Sequence, residues 1–195
     1  PLIENHVKTF SPVLDGEWDA VVVPSGSCTG SIREQQAMVA ENQGNDQVAA
    51  RAALIAKKTY DLSEFLVDVL GVTDVGAYFS LRVTRVGDKP EQRLSKVQGI
   101  DLVPLPEGES CCGFGGTFSI KNPETSAAMV SRKIANVIST KSDVLVAGDY
   151  SCLMNIGGAL ARNRAGIRVM HLAEVLAGTQ AEPWEAPATT TKVGV

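Results

Sequence analysis

The chain has 195 residues, of which 44% are hydrophobic, so it can bury one large core or two smaller ones. Its net charge of -4 gives no excess of lysine or arginine to neutralise phosphates, which argues against a nucleic-acid partner. No apolar run approaches the roughly 20 residues that a membrane-spanning helix needs, and the first residues do not have the pattern of a signal peptide. We therefore expect a cytoplasmic protein without a transmembrane segment.

The first part of the chain predicts one buried strand surrounded by helices. A helical pattern runs to residue 14, and residues 19–23 form the continuous apolar run typical of a parallel strand. That strand leads directly into Pro24-Ser25-Gly26-Ser27-Cys28. Helical patterns then follow in three segments, which are residues 31–41, 45–58 and 62–70. Cys28 is therefore expected just beyond the carboxyl end of a strand.

The second part predicts strands alternating with helices. The predicted strands are residues 75–79, 100–105, 143–148 and 168–171, and the predicted helices are residues 80–85, 90–97, 122–138, 153–165 and 172–177. From Gly178 onward the composition turns to threonine, proline and alanine without periodicity, so we expect residues 179–195 to be a disordered tail. These patterns divide the chain into a first lobe of residues 1–75 and a second lobe of residues 76–178.

Strands that alternate with helices predict an α/β fold with mostly parallel sheets flanked by helices. In such sheets ligands bind beyond the carboxyl ends of the strands. All four cysteines, Cys28, Cys111, Cys112 and Cys152, follow predicted strands at that position. We therefore expect Cys111, Cys112 and Cys152 to lie close together at one edge of the second sheet.

The stretch from Glu109 to Phe118 contains two adjacent thiols and three glycines. Adjacent cysteines rarely form a disulfide with each other, because consecutive Cα atoms are about 3.8 Å apart and a disulfide favours roughly 5.5 to 6 Å. Glycines leave room beside the sulfurs and allow backbone conformations with positive φ. The segment therefore predicts a site at which two thiolates bind a metal or a bulky cofactor.

Two other interpretations of the cysteines stay open. Three cysteines and one further ligand could hold a structural zinc ion, although His6 and His171 are poor candidates for that ligand because helix capping or packing explains them better. A thiol-disulfide enzyme that uses Cys111 and Cys112 is less well supported, because redox pairs are usually spaced Cys-x-x-Cys. Asp149 and Arg162 are better explained as a capping residue and a solvated residue than as catalytic groups.

The strand, polar turn and Ser-Cys pair at residues 21–28 recur at residues 145–152. With these motifs the sequence resembles the cysteine-rich CCG-domain family, which includes one of the subunits of heterodisulfide reductase and the iron-sulfur subunit of glycolate oxidase. The runs that support the resemblance are Pro24-Ser25-Gly26-Ser27-Cys28, Cys111-Cys112-Gly113-Phe114-Gly115-Gly116-Thr117-Phe118, Ser151-Cys152-Leu153-Met154-Asn155-Ile156-Gly157-Gly158 and His171-Leu172-Ala173-Glu174-Val175-Leu176.

The resemblance implies two pseudo-repeated CCG lobes, the first of them incomplete, and an iron-sulfur cluster of the 4Fe-4S type. It implies Cys111, Cys112, Cys152 and Cys28 as ligands, with no catalytic residue. Because oxygen destroys exposed clusters, we expect the cluster to be absent from a crystallised form. The implied role is electron transfer within a lactate-utilisation type complex, whose other subunits help oxidise L-lactate to pyruvate, or a related 2-hydroxy acid such as glycolate.

The chain also departs from the family pattern. Ser31 and Asn155 stand where a late Cys-x-x-Cys motif would have its second cysteine. The family's early cysteine of the second lobe would belong between Phe79 and Ser80, where a predicted strand meets a predicted helix without a turn. We therefore expect residues to be missing at that junction and before Pro1.

Overall fold

The computed structural model describes residues 1–85 and 94–182. Within these ranges the chain forms two compact units. The first contains Pro1–Thr73 together with Gly148–Tyr150, and the second contains Asp74–Ala147 and continues from Ser151. We propose that these units correspond to the two lobes expected at residues 1–75 and 76–178.

The first unit consists of helices around a two-stranded parallel sheet. In this sheet Val22 lies opposite Tyr60, and the core of the unit includes the fully buried Val13 and Ile55. Its elements in chain order are α1 (Leu2–Thr9), α2 (Pro12–Asp15), β1 (Val21–Val23), α3 (Gly26–Gly30), a π-helical turn (Ser31–Gln35), α4 (Gln36–Asn42), α5 (Asp46–Lys57), β2 (Thr59–Asp61), α6 (Leu62–Glu64) and a second π-helical turn (Phe65–Val69).

Side-chain caps begin two of these helices. The side chain of Asn45 accepts a hydrogen bond from the backbone N–H of Val48 at the start of α5. At the start of α6, the Asp61 side chain accepts from the backbone of Ser63, and the Glu64 side chain accepts from the backbone N–H of Asp61. The predicted cap at Asp61 is confirmed.

The second unit contains a four-stranded parallel sheet. Its elements are β3 (Arg82–Arg85), β4 (Asp101–Val103), α7 (Thr117–Lys121), α8 (Pro123–Ser139), β5 (Val144–Ala147), α9 (Tyr150–Arg162), β6 (Arg168–His171) and α10 (Leu172–Ala177). The order of the strands in the sheet is β4-β3-β5-β6. All strand pairs are parallel, which confirms the predicted α/β fold with parallel sheets flanked by helices. None of the helices in the described part of the chain is both long and apolar enough to span a membrane.

Strand β5 separates two hydrophobic cores. All four of its residues are buried, as expected for an interior parallel strand with both faces covered. Val144 and Val146 pack into one core, whereas Leu145 packs into the other, because successive side chains of a strand point to opposite faces. The core around Leu145 also contains Cys112. Packing against this face of the sheet therefore helps to fix the position of the cysteine.

The predicted helix at residues 80–85 is wrong, because Arg82–Arg85 form strand β3 in the interior of the sheet. Its Val83 and Thr84 are fully buried, and β-branched side chains suit such a position. Parallel pairing with β4 and β5 determines the conformation of this segment. The segment is too short for its periodicity to distinguish a strand from a helix. The junction at Ser80 therefore needs no turn from strand to helix, and the absence of residues there stays a prediction.

Other segments were predicted with different success. The strand expected at residues 75–79 contributes only an isolated bridge from Tyr78 to Gln98. Half of the helix expected at 90–97, residues 90–93, lies outside the described part of the chain, as does most of the expected tail, residues 183–195. Strand β6 and helix α10 have the predicted bounds.

Candidate metal centre

Cys28 and Cys152 occupy equivalent positions in two copies of one structural device. In each copy a parallel strand, β1 or β5, leads through a short turn into a helix, and the cysteine is the third residue of that helix. The helix starting at Tyr150 begins three residues earlier than predicted, so Cys152 lies in its first turn. Backbone N–H groups at a helix N-terminus favour negative charge, which suits a thiolate at Cys152.

Cys112 and Cys152 come together in the second unit. The thiol of Cys112 donates a hydrogen bond to Sγ of Cys152 over 3.1 Å. Cys112 is 3% exposed, and Cys152 packs against the hydrophobic core that contains Cys112. The expectation that these two cysteines meet beyond the carboxyl ends of the strands is confirmed.

The Cys-Cys-Gly segment approaches helix α8 closely at Gly113. This residue has a φ of +83°, and a Cβ atom there would lie 2.7 Å from the carbonyl oxygen of Ser126 and 2.9 Å from Cβ of Met129. The Ser126 hydroxyl also donates to the carbonyl oxygen of Gly113 over 2.7 Å. Glycine is therefore required at this position both for backbone conformation and for space.

Asn155 holds the same segment from helix α9. Its side-chain amide Nδ2 donates to the carbonyl oxygen of Cys112 over 2.8 Å. Asn155 stands one turn after Cys152, on the same side of the helix. The residue that departs from the family's cysteine motif therefore fixes the backbone of one cysteine relative to the helix that carries the other.

Two further side chains of α8 fasten the turn that precedes the cysteines. The Lys133 ammonium donates to the carbonyl oxygens of Glu107 and Gly108 over 2.9 and 3.0 Å. Asn136 donates to the carbonyl oxygen of Pro106 over 3.0 Å. A hydrogen bond from Arg132 to the Glu107 carboxylate lowers the pKa of Glu107.

Lys133 was not recognised from the sequence, although the sequence contained a signal for it. It stands three residues after Val130 and four before Val137, so it lies on the apolar stripe of α8. A charged residue on a buried stripe needs a polar partner. The carbonyl groups of residues 107 and 108 supply that partner, and a sequence pattern cannot reveal them because they lie 25 to 26 residues away.

The remaining predicted ligands are less closely assembled. Cys111 is exposed, and its Sγ accepts a hydrogen bond from the backbone N–H of Gly113 over 3.4 Å. Cys28 is exposed and belongs to the first unit. Within residues 1–85 and 94–182, no three side chains of histidine, cysteine, aspartate or glutamate are grouped so that they could hold a metal ion. The structure therefore assembles a pair of thiols, and the ligand roles of the four cysteines stay a prediction.

The histidine and the aspartate that were set aside as catalytic or metal-binding groups have structural contacts. His171 is buried and begins α10, where its Nδ1 accepts from the backbone N–H of Ala173 and Glu174 accepts from the His171 backbone. This confirms the prediction that His171 caps the helix or packs in the core. The Asp149 carboxylate accepts hydrogen bonds from the hydroxyls of Ser25 and Ser27 in the first unit.

Comparison with known proteins places this geometry in a family. The family model described as "Cysteine-rich domain" (CCG) matches residues 83–157, which include Cys111, Cys112 and Cys152. Lactate utilization protein A of Oceanobacillus iheyensis is 47% identical over 167 residues, covering 80% of this chain and 67% of its own. The chain belongs to this CCG protein family.

Two further relatives carry the same name. Lactate utilization protein A of Geobacillus sp. (strain WCH70) is 44% identical over 185 residues, covering 89% of this chain and 74% of its own. The protein of that name from Bacillus subtilis (strain 168) is 43% identical with the same coverage. The resemblance drawn from the cysteine motifs is therefore confirmed.

The donor set of the second unit has the chemistry that a soft metal centre requires. Cys112 and Cys152 present two converging sulfur atoms, and Cys111 presents a third thiol on the adjacent residue. Thiolate ligands favour zinc and iron-sulfur clusters over hard cations such as magnesium. The residues therefore fit such a centre in the nature of their donors.

Proposed function

We propose that this chain is an iron-sulfur electron-transfer subunit of a system that oxidises L-lactate. The observation that carries the proposal is the contact between Cys112 of the Cys-Cys-Gly segment and Cys152 of helix α9, which pairs two thiols in a CCG protein. The names of the relatives supply the connection to lactate. The proposed location is cytoplasmic, where thiols stay reduced and available as ligands.

The proposed ligands in the second unit are Cys111, Cys112 and Cys152, and Cys28 is the proposed ligand at the equivalent position of the first unit. A bound cluster, proposed as 4Fe-4S, would supply a one-electron carrier whose potential depends on hydrogen bonds to sulfur and on burial. The protein contributes a fixed geometry. Asn155 and Ser126 hold the backbone of Cys112 and Gly113, and the hydrophobic core around Cys112 excludes water from that side of the site.

The proposed partners are the other subunits of a lactate-utilisation complex. Oxidation of L-lactate to pyruvate releases two electrons and two protons, and this chain is proposed to carry the electrons rather than to act on the substrate. Oxidation of a related 2-hydroxy acid such as glycolate would also release two electrons and two protons. Adding each acid to the assembled complex and following reduction of the cluster distinguishes these substrates.

Anaerobic reconstitution with iron and sulfide tests the cofactor. We expect a brown protein that contains stoichiometric iron and sulfide and gives an electron paramagnetic resonance signal in one oxidation state. The Cys112→Ser and Cys152→Ser variants should lose the signal, whereas Ser151→Ala, which changes a neighbouring residue without removing a thiol, should keep it. A colourless protein with bound zinc and no iron would replace the proposal with the structural-zinc alternative.

A further inference from the structure

Lys133 is the one lysine, arginine, aspartate or glutamate in the described part of the chain that is fully buried. Its side chain is 1% exposed. It lies on helix α8 between Val130 and Val137, which belong to the core that contains Cys112 and contacts Cys152. Its ammonium group is therefore held on the same side of the sheet as the paired thiols.

The hydrogen bonds of Lys133 do not neutralise its charge. In the described part of the chain, Nζ donates to two backbone carbonyl groups, those of Glu107 and Gly108, which are polar but uncharged. Burying a charge is costly unless an opposite charge lies nearby. A buried ammonium with neutral partners therefore indicates an anionic group in its surroundings.

The Glu107 carboxylate is a poor candidate for that anion. It is exposed to solvent and already accepts hydrogen bonds from Arg132 and Asn136. Its charge is therefore satisfied by other groups and screened by water.

The cysteine thiols are the better candidate, because the turn that Lys133 binds precedes Cys111, and the valines on either side of Lys133 pack in the core that contains Cys112. Burial lowers the pKa of the Lys133 ammonium, and negative charge on Cys112, Cys152 and Cys111 acts in the opposite direction, in that order of strength. These three residues are the proposed ligands of the second unit.

We propose that Lys133 is a positioning residue of the cysteine site, where its ammonium both fastens the Glu107-Gly108 turn and holds a fixed positive charge beside the thiolates of Cys112, Cys152 and Cys111. The ligand role of these thiols rests on the proposed function. The effect of the Lys133 charge on these thiols does not rest on the proposed function, because it can be measured in the absence of any metal.

The test compares two alkylating reagents that differ in charge. Iodoacetate is anionic and iodoacetamide is neutral, and both react with the thiolate, so the ratio of their rates reports the local electrostatic potential rather than the thiolate fraction. The reduced full chain is freed of metal with a chelator, and mass spectrometry of the digest gives the ratio at Cys111 and Cys152, with Cys28 of the other unit as a reference.

We expect Lys133→Met to reduce the iodoacetate rate relative to iodoacetamide by about two- to fivefold at Cys111 and Cys152, because removing one positive charge weakens the local attraction of the anion. Lys133→Gln keeps a neutral donor for the carbonyls and should give the same change. Asn136→Ala is the matched control, because it loosens the same turn at Pro106 without removing a positive charge. It should leave the ratio unchanged.

The proposal is overturned if the ratio is unchanged in both Lys133 variants, if Asn136→Ala changes it equally, or if Cys28 shows the same change. Circular dichroism identifies any variant that fails to fold, and the other Lys133 variant then decides the result. If reconstitution yields no iron while the ratio shifts as expected, the proposed function fails and the role of Lys133 stands.

A second measurement applies to the reconstituted protein. Reduction adds an electron to the site, so loss of a nearby positive charge should lower the reduction potential of the bound cluster in Lys133→Gln. Asn136→Ala should retain the potential of the unmodified protein. A shared shift in both variants would indicate a purely structural role for Lys133 and would contradict the proposal.

Discussion

Cys112 and Cys152 are separated by 40 positions in the chain, yet their Sγ atoms lie 3.1 Å apart. One lies in the Cys-Cys-Gly segment and the other in the first turn of α9, which follows the interior strand β5. Their contact therefore depends on the sheet that brings the ends of β4 and β5 to the same edge. A measurement of the proximity of Cys112 and Cys152 therefore tests the strand arrangement as well as the site.

We expect mild oxidation of the metal-free protein to link Cys112 to Cys152. Glutathione disulfide accepts two electrons and two protons from the thiols and leaves as two molecules of glutathione. Mass spectrometry of a digest under non-reducing conditions should identify the linked peptides. The Cys152→Ser variant should lose the link and Cys28→Ser should keep it, whereas a dominant link from Cys111 to Cys152 would contradict the observed pairing.

Replacement of Gly113 by alanine should destabilise the second unit by about 2 to 4 kcal/mol, because strain at positive φ adds to the clash with Ser126 and Met129. Gly166→Ala is a matched control in the same unit, with a φ of +72° and no atom within 4 Å of the added Cβ. It should cost only about 1 to 2 kcal/mol from backbone strain. Urea unfolding measures both values, and equal losses would mean that the close approach at Gly113 is absent.

The Asn155→Ala variant should lose about 1 to 2 kcal/mol of stability, because the Cys112 carbonyl then loses its hydrogen bond. It should also slow disulfide formation between Cys112 and Cys152, since their relative positions are less fixed. Asn163→Ala is the control on the same side of the sheet, where the amide donates to the carbonyl of Ala159 at the end of α9 instead. If both variants slow disulfide formation equally, Asn155 has no specific role at the cysteines.

The stability of the first unit should decrease at acidic pH because of His6. Burial lowers the pKa of His6, and neither ring nitrogen has a hydrogen-bond partner in the described part of the chain. The unfolded chain therefore binds a proton more readily than the folded chain, so stability is complete above about pH 6.5 and falls as the pH drops below that value. The His6→Leu variant should show a smaller loss between about pH 7 and pH 5 in urea unfolding. An unchanged pH dependence would show that His6 is not responsible.

Several features of the site could be predicted from local sequence alone. The apolar run at residues 143–148 indicated an interior strand, and the residues around it indicated that Cys152 follows the carboxyl end of that strand. The start of α8 at Pro123 was also correct. These features depend on periodicity and on proline and glycine chemistry, which act over a few residues.

Other features depended on contacts that local sequence does not encode. Residues 82–85 were predicted as helix and form the strand β3, because pairing with β4 and β5 outweighs the preference of so short a segment. Asn155 was noted only as a missing cysteine, and its hydrogen bond to Cys112 became evident from the structure. In each case the deciding partner belongs to a distant segment of the chain.

Local sequence was sufficient to identify an α/β protein of the CCG family with its cysteines beyond the ends of parallel strands. The alternating apolar runs and the Cys-Cys-Gly motif carry that information within short segments. The tertiary structure was needed to show that Cys112 contacts Cys152 and that Lys133 is buried, with its ammonium bound to the Glu107-Gly108 turn. The difference arises because periodicity specifies which face of an element is buried, whereas strand order and helix packing specify which buried groups from distant segments share one space.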